Sequence, residues 1–173
     1  MKPFYIIILG LLLLSANVFS QEAIKWMSWE EAVKAGEKET KLVFVDIYTS
    51  WCGWCKVMDN KTFSNNEIAK MLNESFYPVK LNAEMADTVQ FNNYTFVNPN
   101  PQMRRSTHQL AASLLDNQLS YPSFVMLNEK FQRLHILKGF KDAKYMNEYL
   151  QFYIDGKHLL PPPDASGQSE KGG

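Results

Sequence analysis

An α/β fold, or a mixed sandwich, is predicted by three observations. Apolar, β-prone runs at Lys41–Tyr48 and Phe76–Asn82 alternate with helix-like segments. The first run, KLVFVDIY, is continuously apolar apart from one acid, as expected of a strand buried on both faces. Two Ser-x-x-Glu patterns, Ser28/Glu31 and Ser64/Glu67, read as capping boxes that start helices. The chain has 173 residues, a length that suits one domain with one substantial core.

Residues 1–20 read as a secretory signal. Lys2 supplies the positive start, Phe4–Leu14 the apolar run, and Val18-Phe19-Ser20 the cleavage site. The apolar run is about half as long as the roughly 20 residues a spanning helix needs, so no stable membrane insertion is expected after cleavage. Residues 21–158 then form the domain, and the Pro/Gly/Ser tail of residues 159–173 is expected to be disordered. The formal net charge is zero, and no basic excess points to nucleic acid or anionic lipid. An exported, periplasmic or extracellular protein meets oxidising conditions, in which a close cysteine pair can form a disulfide.

Within the domain, Ile24–Met27 could be a short first strand. A helix is expected over about Trp29–Glu39, with Trp29, Ala32 and Val33 inward. Asp46 is the acid in the strand Lys41–Tyr48. A carboxylate there is costly to bury unless it has a partner or a task. After a helix from Lys56, the capping box at Ser64 opens another, with Ile68, Met71 and Leu72 on one face. Thr88–Val97 carries two β-prone runs around Asn92-Asn93, a hairpin signal. A loop, Asn98–Pro101, precedes a helix expected over Gln102–Asn117, with Leu110, Ala111 and Leu114 inward. Strands follow at Ser123–Leu127 and Gln132–Leu137. Gly139 marks a bulge or close backbone approach, and Lys141–Ile154 forms the last helix, burying Tyr145, Tyr149, Leu150 and Ile154.

The chemistry is concentrated in Trp51-Cys52-Gly53-Trp54-Cys55-Lys56, which holds both cysteines of the chain. A C-x-x-C at a strand-to-helix junction is a redox arrangement. The first cysteine sits where free N–H groups and the helix dipole favour a thiolate, and the second lies one turn on, placed to attack a mixed disulfide. So short a loop closes little chain entropy, so a purely structural staple would stabilise weakly. Trp51 and Trp54 could offer an apolar platform to a partner; Trp51 reads as packed, and Trp54 is as readily core as exposed. Gly53 leaves room for an approaching sulfur. Lys56 could support the thiolate but equally suits a solvated surface.

These residues, in this order, resemble the thioredoxin-like superfamily over about Lys41–Phe152. WCGWCK matches its active-site motif, and Asp46, six residues before Cys52, matches its buried aspartate. Lys80 is similar to its strand lysine, and Tyr121-Pro122 to its cis-proline, followed by a hairpin and Gly139. The run from Thr62-Phe63-Ser64 is similar to exported members and to the soluble domain of the transmembrane disulfide reductases. The resemblance implies a central mixed β-sheet flanked by helices, with an inserted hairpin and loop before the cis-proline. It implies thiol–disulfide exchange with protein thiols and disulfides, no cofactor beyond the Cys52–Cys55 pair, and a membrane-bound electron donor. Cys52 would attack and Cys55, the more buried, resolve; Asp46, opposed by Lys80, would take up a proton; Tyr121 and Pro122 would present backbone to an extended substrate. A long helix after Cys55, the segment Glu84–Met103 and Trp54 in place of proline depart from plain thioredoxin. The segment is expected over or beside the active-site rim. A reductase is favoured, with an oxidase or isomerase as the alternative. From other classes, a C-x-x-C can bind a soft ion such as Cu(I), and a client-binding helper could use Trp54 and the Thr88–Val97 hairpin. Histidines 108, 135 and 158 are scattered, and no metal ligand set emerges.

Overall fold

The computed structural model describes residues 22–160, so the expected signal segment and most of the tail lie outside the described residues. The elements run α1 (Trp29–Gly36), β1 (Leu42–Tyr48), α2 (Gly53–Lys61), α3 (Asn66–Ser75), β2 (Phe76–Asn82), β3 (Val89–Phe91), β4 (Tyr94–Phe96), α4 (Gln109–Leu114), β5 (Ser123–Leu127), β6 (Arg133–Lys138) and α5 (Ala143–Ile154). A four-stranded sheet has the order β2-β1-β5-β6. β1 pairs parallel with β2 and antiparallel with β5, and β5 pairs antiparallel with β6. The sheet is therefore mixed and flanked by helices, as the sequence predicts. The parallel pair needs a crossover, supplied by α2 and α3.

Strand side chains alternate between faces, and the core follows that alternation. Val43, Val45 and Ile47 join Val79, Leu81, Val125 and Leu127 on the face covered by α1 and α4. Phe44 lies on the other, with Met58, Ile68, Leu72, Phe124, Met146 and Leu150. Each such side chain contributes about 1.5–3 kcal/mol on burial. Asp46 shares the parity of Phe44, so it points to the face on which α2 packs.

Several elements differ from expectation. The first segment makes only a bridge, Met27 to Val79. α1 stops at Gly36, capped by the Ser28/Glu31 box. The helix after Cys55 is not long: α2 ends at Lys61 and a separate α3 begins at Asn66. α3 is capped by Asn65, whose Oδ1 accepts from Glu67 N and Ile68 N, and not by Ser64, which donates to Asn60 O. The helix expected over 102–117 shrinks to α4, with His108 as N-cap, because residues 101–105 form a turn and 106–108 are irregular; Leu110, Ala111 and Leu114 are buried. Gly139 is neither a bulge nor a close approach: its φ is +77, a Cβ there would meet open space, and the sheet's irregularity lies at Met126/Leu127. In α5 the buried residues are Met146, Leu150 and Tyr153, whereas Tyr145 and Ile154 are exposed. Leu159 closes a 3-10 turn, Lys157–Leu159, so ordered structure runs past residue 158. The hairpin β3–β4 turns on Asn92 and Asn93, both at positive φ, as a two-residue hairpin loop requires.

Candidate active site

β1 ends at Tyr48, and Cys52 is the N-cap of α2. Cys52 N donates to Thr49 O at 3.2 Å, closing the turn between strand and helix. Cys52 Sγ accepts from Cys55 N at 3.0 Å, so it takes the place of a capping oxygen. Cys52 and Cys55 are joined as a disulfide with Cα atoms 5.3 Å apart. Cys55 is not the more buried of the two: each residue is 5% exposed. Gly53 has open space where a Cβ would sit. Lys56 is on the exposed side of α2.

Asp46 is 2% exposed and sits between Lys80 on β2 and Phe124 on β5 in the sheet register. Lys80 Nζ lies 3.1 Å from Asp46 Oδ2 and makes a second, short ion pair with Asp59 Oδ1. Burial pushes the Asp46 carboxyl up from 3.8 to about 6, and the Lys80 charge only partly offsets this. Burial also acts to lower the Lys80 ammonium, but Asp46 and Asp59 outweigh it and hold the group above its ordinary value. The ammonium sits 4.9 Å from the Trp26 ring and 5.3 Å from that of Tyr48, within cation–π range. An open cleft of about 540 Å³, lined by Trp26, Asp59, Phe63 and Lys80 among others, brings solvent to this charge group. Asp59 was not among the sequence candidates. Its signal is positional: it lies four residues after Cys55 and so shares that residue's helix face.

The rim is aromatic and basic. Trp51 is 49% exposed and not packed in the core, and Trp54 is 62% exposed, tilted against Phe140. Trp51 stands edge-on to Tyr121, donates from Nε1 to Glu84 Oε1 at 2.9 Å, and lies under the Arg105 guanidinium at 5.0 Å. The Tyr121–Pro122 peptide is cis, and Pro122 O accepts from Gly139 N at 2.8 Å. The segment Glu84–Met103 divides in two. Glu84 and the turn at its far end border Trp51, whereas Phe91 of the hairpin packs on Trp29 and Phe131, on the α1 side of the sheet. Among the described residues no three His, Cys, Asp or Glu side chains gather as a metal-holding group, and no helix is long and apolar enough to cross a membrane.

Comparisons with known proteins agree with this geometry. The family model Thioredox_DsbH, described as "Protein of unknown function, DUF255", matches residues 15–135. Spermatogenesis-associated protein 20 of Homo sapiens is 36% identical over 75 residues, 43% of this chain and 10% of that protein. An uncharacterized protein of Archaeoglobus fulgidus is 32% identical over 87 residues, 48% of this chain and 68% of that one. The mammalian relatives are thus matched over about a tenth of their length. Among solved structures, "DsbH Oxidoreductase" superposes with a TM-score of 0.55 at 15% identity, covering 80% of this chain and 90% of that one. A thioredoxin from Thermus thermophilus gives 0.57 at 16%, covering 76% and 88%. A disulphide isomerase from Xylella fastidiosa Temecula1 gives 0.51 at 16%, covering 72% and 87%. At these identities the likeness establishes the fold. With its family model matched across most of the described domain, the chain belongs to the DUF255 (Thioredox_DsbH) family, within the thioredoxin-like superfamily.

Proposed function

We propose that this protein is a thiol–disulfide oxidoreductase of exported proteins, working as a reductase. The observation that carries the reading is Cys52 Sγ at the N-cap of α2, accepting from Cys55 N in the place where a thiolate gains most from helix N–H groups. In the reduced protein the Cys52 thiolate attacks one sulfur of a substrate disulfide. A Cys52–substrate bond forms, and the other substrate sulfur leaves as a thiolate and takes a proton. Cys55 loses its proton, attacks Cys52 Sγ and forms the Cys52–Cys55 disulfide. The substrate's second sulfur then departs as a thiol. The substrate gains two electrons, and the protein's dithiol loses them. A dithiol of a membrane-bound donor returns the pair to its reduced state, and no cofactor takes part.

Asp46 is the acceptor for the Cys55 proton. Its carboxyl, raised to about 6, exchanges a proton near neutral pH, whereas an ordinary aspartate would stay ionised. Lys80 and Asp59 position it and connect it to the open cleft that they line. Trp51, Trp54, Tyr121 and Pro122 form the surface that meets the substrate, and the open side of Gly53 admits the substrate sulfur. The names of the superposed DsbH oxidoreductase and disulphide isomerase are consistent with this chemistry. The direction rests on retention of Asp46 and Lys80 together.

The test is trapping. Cys55→Ser, reduced and mixed with a disulfide-containing model protein, should accumulate a mixed disulfide through Cys52 that dithiothreitol releases. Cys52→Ser should accumulate none. Equal trapping by both variants, or by neither, would contradict the assigned roles.

A further inference from the structure

The rim beside Cys52 carries more positive charge than the reaction needs. A cleft of about 400 Å³ opens next to the motif, lined by Ser50, Trp51, Glu84, Met103, Arg104 and Arg105 among others. Arg104 and Arg105 are exposed, and among the described residues neither is in an ion pair. The one acid of the cleft, Glu84, accepts from Trp51 Nε1. Arg105 stacks on the Trp51 ring and holds a φ of +62, a conformation uncommon for a long side chain and maintained only where the surroundings enforce it.

The surroundings do enforce it. Asn98 is 6% exposed, and its Nδ2 donates to Glu84 O, Met85 O and Ser106 O at 3.4, 3.2 and 3.3 Å. Its Oδ1 accepts from Asn100 N and from the Ser106 hydroxyl. Met103 N to Asn100 O and Ser106 N to Met103 O close the turn itself. One buried amide therefore ties Glu84, in the turn after β2, to the base of the turn that displays both arginines. This turn is built and aimed at Trp51, the residue before Cys52.

We propose that the turn Pro101–Arg105 is a client-selecting surface, favouring protein substrates with acidic side chains near the cysteine that reacts with Cys52. The inference rests on the oxidoreductase reading and extends it to substrate class. Arg105 is stacked on the neighbour of Cys52, and three or four residues of an extended client, at about 3.4 Å each, span roughly 10–14 Å from the reacting sulfur into this cleft. A carboxylate there meets a guanidinium fork, and Met103, 66% exposed, offers adaptable apolar contact beside it. A basic client meets two like charges, which slows its encounter.

The experiment uses three peptides of identical length, each in mixed disulfide with a fluorescent thiol and differing only in Glu, Gln or Lys three and four residues from the cysteine. The reduced full chain should release the fluorophore from the Glu peptide about tenfold faster than from the Lys peptide at low ionic strength, and the ratio should shrink as salt screens the charges. Arg104→Glu with Arg105→Glu should invert the ratio. Arg104→Glu alone, which leaves the Trp51 stack in place, should lower it. Lys144→Glu, the same charge change on α5, should leave it as in the wild type. Equal rates for Glu and Lys peptides, or a ratio that Lys144→Glu moves as far as Arg104→Glu does, would overturn the proposal. A protein that reacts with the Gln peptide but shows no charge preference refutes the surface alone; one that reacts with none refutes the oxidoreductase reading and the surface with it.

Discussion

Asp46 ties the stability of the fold to pH. Its carboxyl is raised from 3.8 in the unfolded chain to about 6 in the fold, so between those values the native state binds more protons than the unfolded state. Stability therefore falls as pH rises through this window, and above pH 6 the ionised, buried group costs about 3 kcal/mol. Asp46→Asn removes that cost and leaves Lys80 paired with Asp59. The variant should be more stable than wild type by about 1–3 kcal/mol at pH 7, with the gain vanishing below about pH 4. Denaturant titrations of the oxidised protein across pH check this. The same variant should slow the resolving step by roughly 10²-fold near neutral pH, since it has no proton acceptor. At this scale the sequence was informative in an uneven way. Asp46 stands out because an acid interrupts an apolar strand. Asp59 does not, because VMDNK reads as any polar helix surface, and only its spacing from Cys55 marks it. Asn98 and Glu84 are hidden for another reason: their partners lie across the fold or on backbone carbonyls that no pattern of residue types exposes.

Among the elements, α3 shows how a cap is decided. Ser64 and Asn65 both precede the helix and both can cap; Ser64 forms the Ser-x-x-Glu pattern, yet Asn65 Oδ1 accepts from two helix N–H groups. Asn65→Ala should therefore destabilise the protein by about 1 kcal/mol, seen as a shift in the urea midpoint at unchanged slope. An unchanged midpoint would return the cap to Ser64. The hairpin was legible because Asn-Asn tolerates the positive φ its turn demands. α5 was legible as a helix but not in rotation. Tyr145, Tyr149 and Phe152 form one stripe at helical spacing, and Met146, Leu150 and Tyr153 form another one residue on. Either could face the sheet, and only the shape of the core formed with Phe44 and Met58 selects the second. α4 is shorter than the sequence predicts, since residues 102–108 contain no helix breaker to mark its start. What displaces them from helix is the turn that Asn98 anchors, a tertiary constraint.

For the molecule as a whole, the mixed sheet places three functional features at one end of β1. The strand delivers the disulfide to the start of α2, its central position buries Asp46 between β2 and β5, and the β2 register sets Lys80 opposite that acid. These relations follow from strand alternation and the order of elements, which is why the fold could be read from the run of apolar segments while the arginine turn anchored by Asn98 could not. The reductase reading then makes a demand on the pair. The measurement that tests it most directly is the reduction potential of Cys52–Cys55, from equilibration with glutathione and dithiothreitol buffers and with Cys52→Ser as the control. A strongly negative value, well below the glutathione couple, is the predicted result. A value near or above that couple, or a pair that never exchanges, would contradict it.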